Sequence, residues 1–223
     1  MADFALQRRN MVECQVQPSD VTDRRILRAM LEVPRELFAA PDSRATAYMD
    51  ENLPMASPGG VGPARLMMAP RILAKLMQAL ELGEQDVVLV VGAGSGYGTA
   101  VLSKIARSVV GLEADAALAE QARSTLKSLG ISNVTVDTGE LAGGWPSEAP
   151  YDAILIEGAV PDVPAALLDQ LKDGGRLAAV ISDAAIGCAM QWRRLGDTFD
   201  ARSLFDAGVP QLPGFERKPV FVF

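Results

Sequence analysis

The chain of 223 residues predicts an α/β fold with a doubly wound, mostly parallel sheet, and three observations predict it. Short continuous β-branched and aliphatic runs, of the kind buried on both faces of a sheet, recur along the chain. They alternate with segments whose apolar residues fall at helical spacing. A glycine-rich turn follows the first of those runs directly. The length suits one domain, able to bury roughly 70% of the surface its unfolded form exposes.

Residues 18 to 33 read as a helix, with Ser19 or Asp20 available as N-cap, Ile26, Leu27, Met30 and Leu31 on one face, and Pro34 as the stop. From Pro41 to Ala69 the chain reads as a loop, and its SPGGVGP segment (57 to 63) is too rich in glycine and proline for a regular element; this is the expected mobile lid. Pro70 opens a helix carrying Ile72, Leu73, Leu76, Met77 and Leu80. The strand Val87 to Val91 then leads through the glycine turn into a small-residue helix reaching about Ala106. A strand at Ser108 to Glu113, a helix with Leu118, Ala122, Leu126 and Leu129 in register, and a strand at Asn133 to Thr138 come next. Strands at Tyr151 to Glu157 and Arg176 to Ile181 enclose a short helix at Pro164 to Leu171. This order implies right-handed crossovers. The terminal PVFVF reads as an edge or antiparallel strand.

Composition excludes several classes of chemistry. There is no histidine, which removes Ser-His-Asp and Cys-His catalysis and most zinc and non-haem iron sites. The net charge of −7, with no basic run, argues against a nucleic-acid partner. Cys14 and Cys188 are too few for a disulfide framework and have no basic neighbours, so both are taken as small buried hydrophobes in a cytoplasmic protein. No apolar window is long enough to span a bilayer.

The segment VLVVGAGSGYG (88 to 98) carries the chemistry. Gly92, Gly94 and Gly96 stand between a buried strand and a helix, where the backbone must turn tightly and let a ligand approach without a Cβ in the way. Glu113 closes the next strand about twenty residues after Gly92, where a carboxylate accepts hydrogen bonds from ribose hydroxyls. A dinucleotide fingerprint requires glycine where Tyr97 stands, so the spacing fits S-adenosylmethionine better than NAD.

Set beside these residues, the pieces MVECQV (11 to 16), DRRILRAMLEVPRELF (23 to 38), AYMDENLP (47 to 54), VGAGSGYGTAVLSKIA (91 to 106), GWPSEAPYDAILIEGA (144 to 159) and LLDQLKDGGRL (167 to 177) resemble the protein-L-isoaspartate O-methyltransferase family over nearly the whole chain. The resemblance implies a class I methyltransferase fold with a seven-stranded sheet. It implies one domain, with residues 1 to 80 as N-terminal helices and substrate-side loop and residues 81 to 223 as the cofactor-binding core. It implies S-adenosylmethionine as methyl donor and the α-carboxylate of isoaspartyl residues in damaged proteins or peptides as acceptor. Gly92, Gly94, Ser95, Gly96, Glu113 and Glu140 are the implied cofactor contacts.

The chain departs from that family at the centre of the site. Where the family carries a Gly-Gln-Thr-Ile-Ser-x-Pro segment, this chain reads GPARLMMAP (62 to 70), with Leu66 and Met68 at the threonine and serine. Val90 replaces a glutamate ending the first strand, and Glu157 replaces a small neutral residue. Arg65, Met68 and Glu157 are therefore the candidates near the reacting groups: Arg65 to pair with an anionic acceptor, Met68 as lid or core packing, and Glu157 to bind the cofactor's ammonium group or to stand as a solvated strand-end carboxylate. Weakened isoaspartyl activity, transfer to another protein group or small-molecule acceptor, and cofactor binding without catalysis remain open readings at this level. A carboxylate nucleophile is already ionised at neutral pH, so a site without histidine suits it. An amine or phenol acceptor needs a proton acceptor, for which Asp137, Glu140 and Glu157 are available.

Overall fold

The computed structural model describes residues 3–55, 65–182 and 186–216. The SPGGVGP segment and the terminal PVFVF lie outside them. An N-terminal layer opens with helix α1 (Phe4–Met11), whose first turn is capped by Asp3 accepting from the Leu6 N–H at 3.0 Å. A π-helical turn (Val12–Val16) and a 3-10 turn (Gln17–Ser19) follow. The expected helix start at 18 is corrected: Asp20 has φ +65°, whereas an N-cap needs extended backbone. Helix α2 (Arg24–Glu32) instead begins after Asp23, whose carboxylate accepts from the Arg25 N–H at 2.9 Å. After Pro34 the chain makes 3-10 turns at Arg35–Leu37 and Pro41–Thr46.

The stretch read as loop holds a small antiparallel clip, strand β1 (Leu53–Pro54) pairing with β2 (Leu66–Met67). One residue further out, the Met55 N–H donates to the Arg65 carbonyl at 3.0 Å, so Met55 and Arg65 face each other at the open end of the clip. Helix α3 (Pro70–Ala79) starts on its proline as expected and buries Ile72, Leu73, Leu76 and Met77.

The sheet elements are β3 (Val87–Val91), α4 (Tyr97–Leu102), β4 (Ser108–Glu113), α5 (Ala116–Ser128), β5 (Val134–Thr138), β6 (Tyr151–Val160), α6 (Ala165–Leu168), β7 (Leu171–Ile181), β8 (Gly187–Leu195) and β9 (Thr198–Ala207). Seven strands form one sheet in the order β5-β4-β3-β6-β7-β8-β9. The five strands from β3 to β7 pair parallel, and β8 and β9 add an antiparallel hairpin that the sequence reading did not anticipate. The chain runs from β3 outward to β5 and then returns to β6 on the other side of β3, which makes the carboxyl ends of β3 and β6 a topological switch point, the usual binding crevice of such sheets.

Side chains alternate across the sheet. Val88, Val90, Ala153, Leu155, Ala178 and Val180 pack with the N-terminal helices, α3, α4 and α5. Leu89, Val91, Ile154, Ile156, Leu177 and Ala179 pack on the opposite face with Leu141, Leu167 and Leu212. The reading of both cysteines as buried is corrected: Cys14 is exposed, because its turn buries Val12 and Val16 instead, and Cys188 is only partly covered. Among the described residues no helix is long and apolar enough to cross a membrane.

Candidate active site

The turn after β3 needs glycine at three alternate positions. Gly92, Gly94 and Gly96 have φ of +78°, +56° and +93°, the left-handed region that a Cβ disfavours. A Cβ at Gly96 would also stand 3.0 Å from that of Ala122, so this glycine lets α5 close on the turn. The amides of the turn divide into two sets. Those of Gly92 and Ala93 donate to the Leu112 carbonyl at 2.8 and 3.0 Å, and that of Gly96 donates to the Ala93 carbonyl at 2.9 Å. These three bonds build the turn and are not available to a ligand. The Gly94 N–H reaches Glu113 Oε2 at 2.7 Å and the Ser95 N–H reaches Met55 Sδ at 3.2 Å, so only these two amides meet side chains.

Glu113 is fully buried at the end of β4. Its Oε1 accepts from the Asp115 N–H at 3.0 Å, and its Oε2 accepts from Gly94 and from Arg65 Nη2 at 3.0 Å. Arg65 Nη2 also donates to the Gly92 carbonyl at 3.2 Å. The two faces of the clip thus end on the glycine turn, with the Met55 thioether where a Cβ on Gly94 would fall, 2.5 Å away. A glycine turn without side chains of its own, a buried carboxylate and two exchangeable side-chain partners, Arg65 and Met55, fit an adenosyl group: Glu113 would receive the ribose hydroxyls, and the Gly94 and Ser95 backbone would line its path. Glu140 lies in the loop beyond Gly139, whose N–H donates to the Glu113 carbonyl at 3.1 Å, and its side chain is exposed.

Glu157 does not stand in solvent at a strand end, as one alternative had it. It is 5% exposed, and burial pushes its carboxyl up to about 8, against the pull of Arg35 and Arg65 and with the help of Glu113. Its Oε1 lies so close over α4 that a Cβ on Gly98 would be 1.7 Å away. Arg35, which the sequence reading passed over, is the largest fully buried side chain among the described residues. Its Nε donates to the Ala47 carbonyl and its Nη2 to the Met68 carbonyl, both at 2.8 Å, and its guanidinium lies 4.7 Å from the centre of the Tyr97 ring. Desolvation lowers the Arg35 pKa and raises that of Tyr97. The only sequence signal for Arg35 was its place in VPRELF, after a proline that ends a helix.

Met68 contributes its carbonyl to this arrangement, while its side chain is buried in the core of the helical layer beside Met67. Leu66 sits in β2 opposite Pro54. Neither offers a hydroxyl. Arg65 is held on Glu113 rather than presented to an acceptor.

A seven-stranded sheet with its switch point at a glycine turn and a carboxylate on the neighbouring strand defines a class I methyltransferase fold. Comparison with known proteins narrows the class. The model of the protein-L-isoaspartate(D-aspartate) O-methyltransferase family matches residues 7–202. A protein-L-isoaspartate O-methyltransferase of Roseiflexus sp. (strain RS-1) is 41% identical over 212 residues, covering 95% of this chain and 94% of the relative. One from Synechococcus sp. (strain JA-2-3B'a(2-13)) is 44% identical over 181 residues, covering 81% and 72%. A solved protein-L-isoaspartate O-methyltransferase superposes with a TM-score of 0.81 at 26% identity, covering 95% of this chain and 67% of that one. The chain belongs to the protein-L-isoaspartate(D-aspartate) O-methyltransferase family, whose members are O-methyltransferases dependent on S-adenosylmethionine.

Proposed function

We propose that this protein methylates the free carboxylate of isoaspartyl residues in damaged proteins and peptides. The observation that carries the reading is the fully buried Glu113 beside a three-glycine turn, in a chain whose family match runs through the N-terminal layer as well as the sheet. S-adenosylmethionine, when bound, supplies a methyl group on a sulfonium, an excellent leaving group for in-line displacement. The protein's task is then to position two reactants and exclude water. Glu113, fixed by the Gly94 amide, and the amide of Ser95 hold the adenosyl end, and the N-terminal layer with Arg35, Tyr97 and Glu157 closes the other side.

A carboxylate acceptor agrees with a site whose buried cation, Arg35, forms no ion pair within 4 Å among the described residues. Peptide acceptors rather than nucleic acid agree with a net charge of −7, and a cytoplasmic location agrees with two unpaired cysteines. The test is methyl transfer from labelled S-adenosylmethionine to an isoaspartyl peptide, with the aspartyl peptide of the same sequence as control. Transfer to the isoaspartyl form alone is expected. Cofactor binding with neither peptide labelled would sink the reading and favour an altered acceptor or a protein that only binds the cofactor.

A further inference from the structure

Buried polar atoms in folded proteins nearly always have hydrogen-bond partners, and exceptions call for an explanation. Arg35 Nη1, Tyr97 Oη and Glu157 Oε1 are such exceptions: all are buried without a well-formed hydrogen bond, the Arg35 and Tyr97 atoms meeting only each other and Glu157 Oε1 meeting no donor. They come from three different elements and gather in one buried cluster between the sheet and the helical layer. Arg35 stacks on the Tyr97 ring at 4.7 Å, and Glu157 lies over Gly98, the residue after Tyr97. Arg35, Tyr97, Arg65 and Glu113 are the charged and titratable groups that face Glu157. No cation lies within ion-pair distance of it among the described residues.

The backbone at Glu157 is irregular in a way that aims its side chain. Leu155 pairs with Ala178 and Ala159 with Val180, so β6 spends four residues where β7 spends two. The extra residues arch out of the ladder at Ile156 to Gly158. Bulges of this kind re-aim side chains and concentrate beside active sites. On its other side β6 pairs Ile156 with Val91, which sets Glu157 one strand over from Gly92 at the switch point.

We propose that Glu157 positions the methyl acceptor: as a neutral carboxylic acid it donates a hydrogen bond to the substrate carboxylate, beside a buried cluster whose positive charge comes from Arg35. The proposal rests on the carboxylate-acceptor reading above. A neutral Glu157 leaves the cluster with the net charge of Arg35, which attracts an anion; an ionised Glu157 cancels that charge and removes the attraction. Hydrogen bonds from an acid to a carboxylate are short and strong. With no hydroxyl at Leu66 or Met68, a donor on β6 supplies the contact that the neighbouring clip lacks. In the transfer itself a carboxylate lone pair forms the C–O bond, the S–C bond breaks and its electron pair stays on sulfur. No proton is gained or lost, so a pH dependence near 8 belongs to Glu157 and not to the chemistry.

The competing role, an ionised Glu157 holding the donor's ammonium group, has the opposite signature. In calorimetric titrations with S-adenosylhomocysteine present, isoaspartyl peptide is added to the wild type and to Glu157→Gln at about pH 8.5, in buffers of different ionisation enthalpy. The wild type is expected to take up about three-quarters of a proton per peptide bound, the fraction of Glu157 ionised beforehand, and Glu157→Gln none, since the amide donates without titrating. The kcat/KM of the wild type is expected to fall about tenfold per pH unit above about pH 9, while that of Glu157→Gln stays flat over the same range. Binding without proton uptake, or an alkaline limb that persists in Glu157→Gln, overturns the proposal. So does a tenfold or larger loss of S-adenosylhomocysteine affinity in Glu157→Gln, which would assign the residue to the donor. Peptide that binds neither protein overturns the acceptor reading first, and this proposal with it.

Discussion

Arg65 Nη2 lies 3.0 Å from Glu113 Oε2, so the chain's own guanidinium closes on the carboxylate that fits ribose hydroxyls. The pair is nearly dry, with side-chain exposures of 10% for Arg65 and 0% for Glu113. The same clip end sets Met55 Sδ on the Ser95 amide. A nucleoside that uses Glu113 and Ser95 competes with both contacts, and affinity is reduced by the fraction of molecules in which they are made.

Arg65→Gln is therefore expected to strengthen S-adenosylhomocysteine binding by roughly three- to tenfold, because it releases one competitor while Gly94 and Asp115 still hold the carboxylate. Titration calorimetry measures it. A weaker complex would instead make Arg65 a ligand contact.

Glu113→Ala is expected to act in the other direction. Losing a charge-assisted hydrogen-bond acceptor costs about 1.5–3 kcal/mol, or on the order of 10- to 100-fold in donor affinity. The Gly94 and Asp115 amides lose their partner as well, so a thermal melt should accompany the binding measurement. Unchanged donor affinity in a folded variant would remove the adenosyl assignment.

Gly98→Ala places a Cβ 1.7 Å from Glu157 Oε1, closer than any real contact, so the buried carboxylate must shift away from α4. Overpacking of this kind costs roughly 1–3 kcal/mol. Gly98→Ala combined with Glu157→Ala is expected to recover stability but not acceptor turnover. Equal destabilisation with and without Glu157 would show that the contact is not the cause.

Stability is expected to fall as pH rises from about 4.5 to about 8. At the low end Glu157 is protonated whether the chain is folded or not, since its ordinary value is 4.5. Between the two values the unfolded chain gives up its proton while the folded chain, at about 8, keeps it, so the unfolded state gains. Above 8 the full cost of a buried charge is present. Glu157→Gln should match wild type in urea melts near pH 4 and exceed it by a few kcal/mol near pH 9. Parallel stability curves for the two proteins would contradict the burial argument.

Much of the fold was legible because its signals are local. The β-branched run at Val87–Val91, the three glycines after it and the carboxylate closing the next strand lie within thirty residues, and each follows from a backbone or packing requirement visible in the chain. The hairpin of β8 and β9 escaped notice because GCAMQWRRL and TFDARSLFDA carry many charged and half-exposed positions at the sheet's outer side, where burial no longer enforces an apolar run. The start of α2 was misplaced for a related reason. Ser19, Asp20 and Asp23 are all competent caps by composition, and only the left-handed backbone of Asp20 separates them.

Residue order alone was enough for the parallel half-sheet, the glycine turn and Glu113, since period, turn chemistry and spacing are properties of neighbours in the chain. The tertiary structure decided which turn amides are already spent on Leu112 and Ala93, that Arg65 rests on Glu113, and that Glu157 is buried with Arg35 and Tyr97. Protonation, burial and unmet hydrogen bonds depend on what packs around a side chain, and here that surrounding comes from segments as far apart as residues 35, 97 and 157.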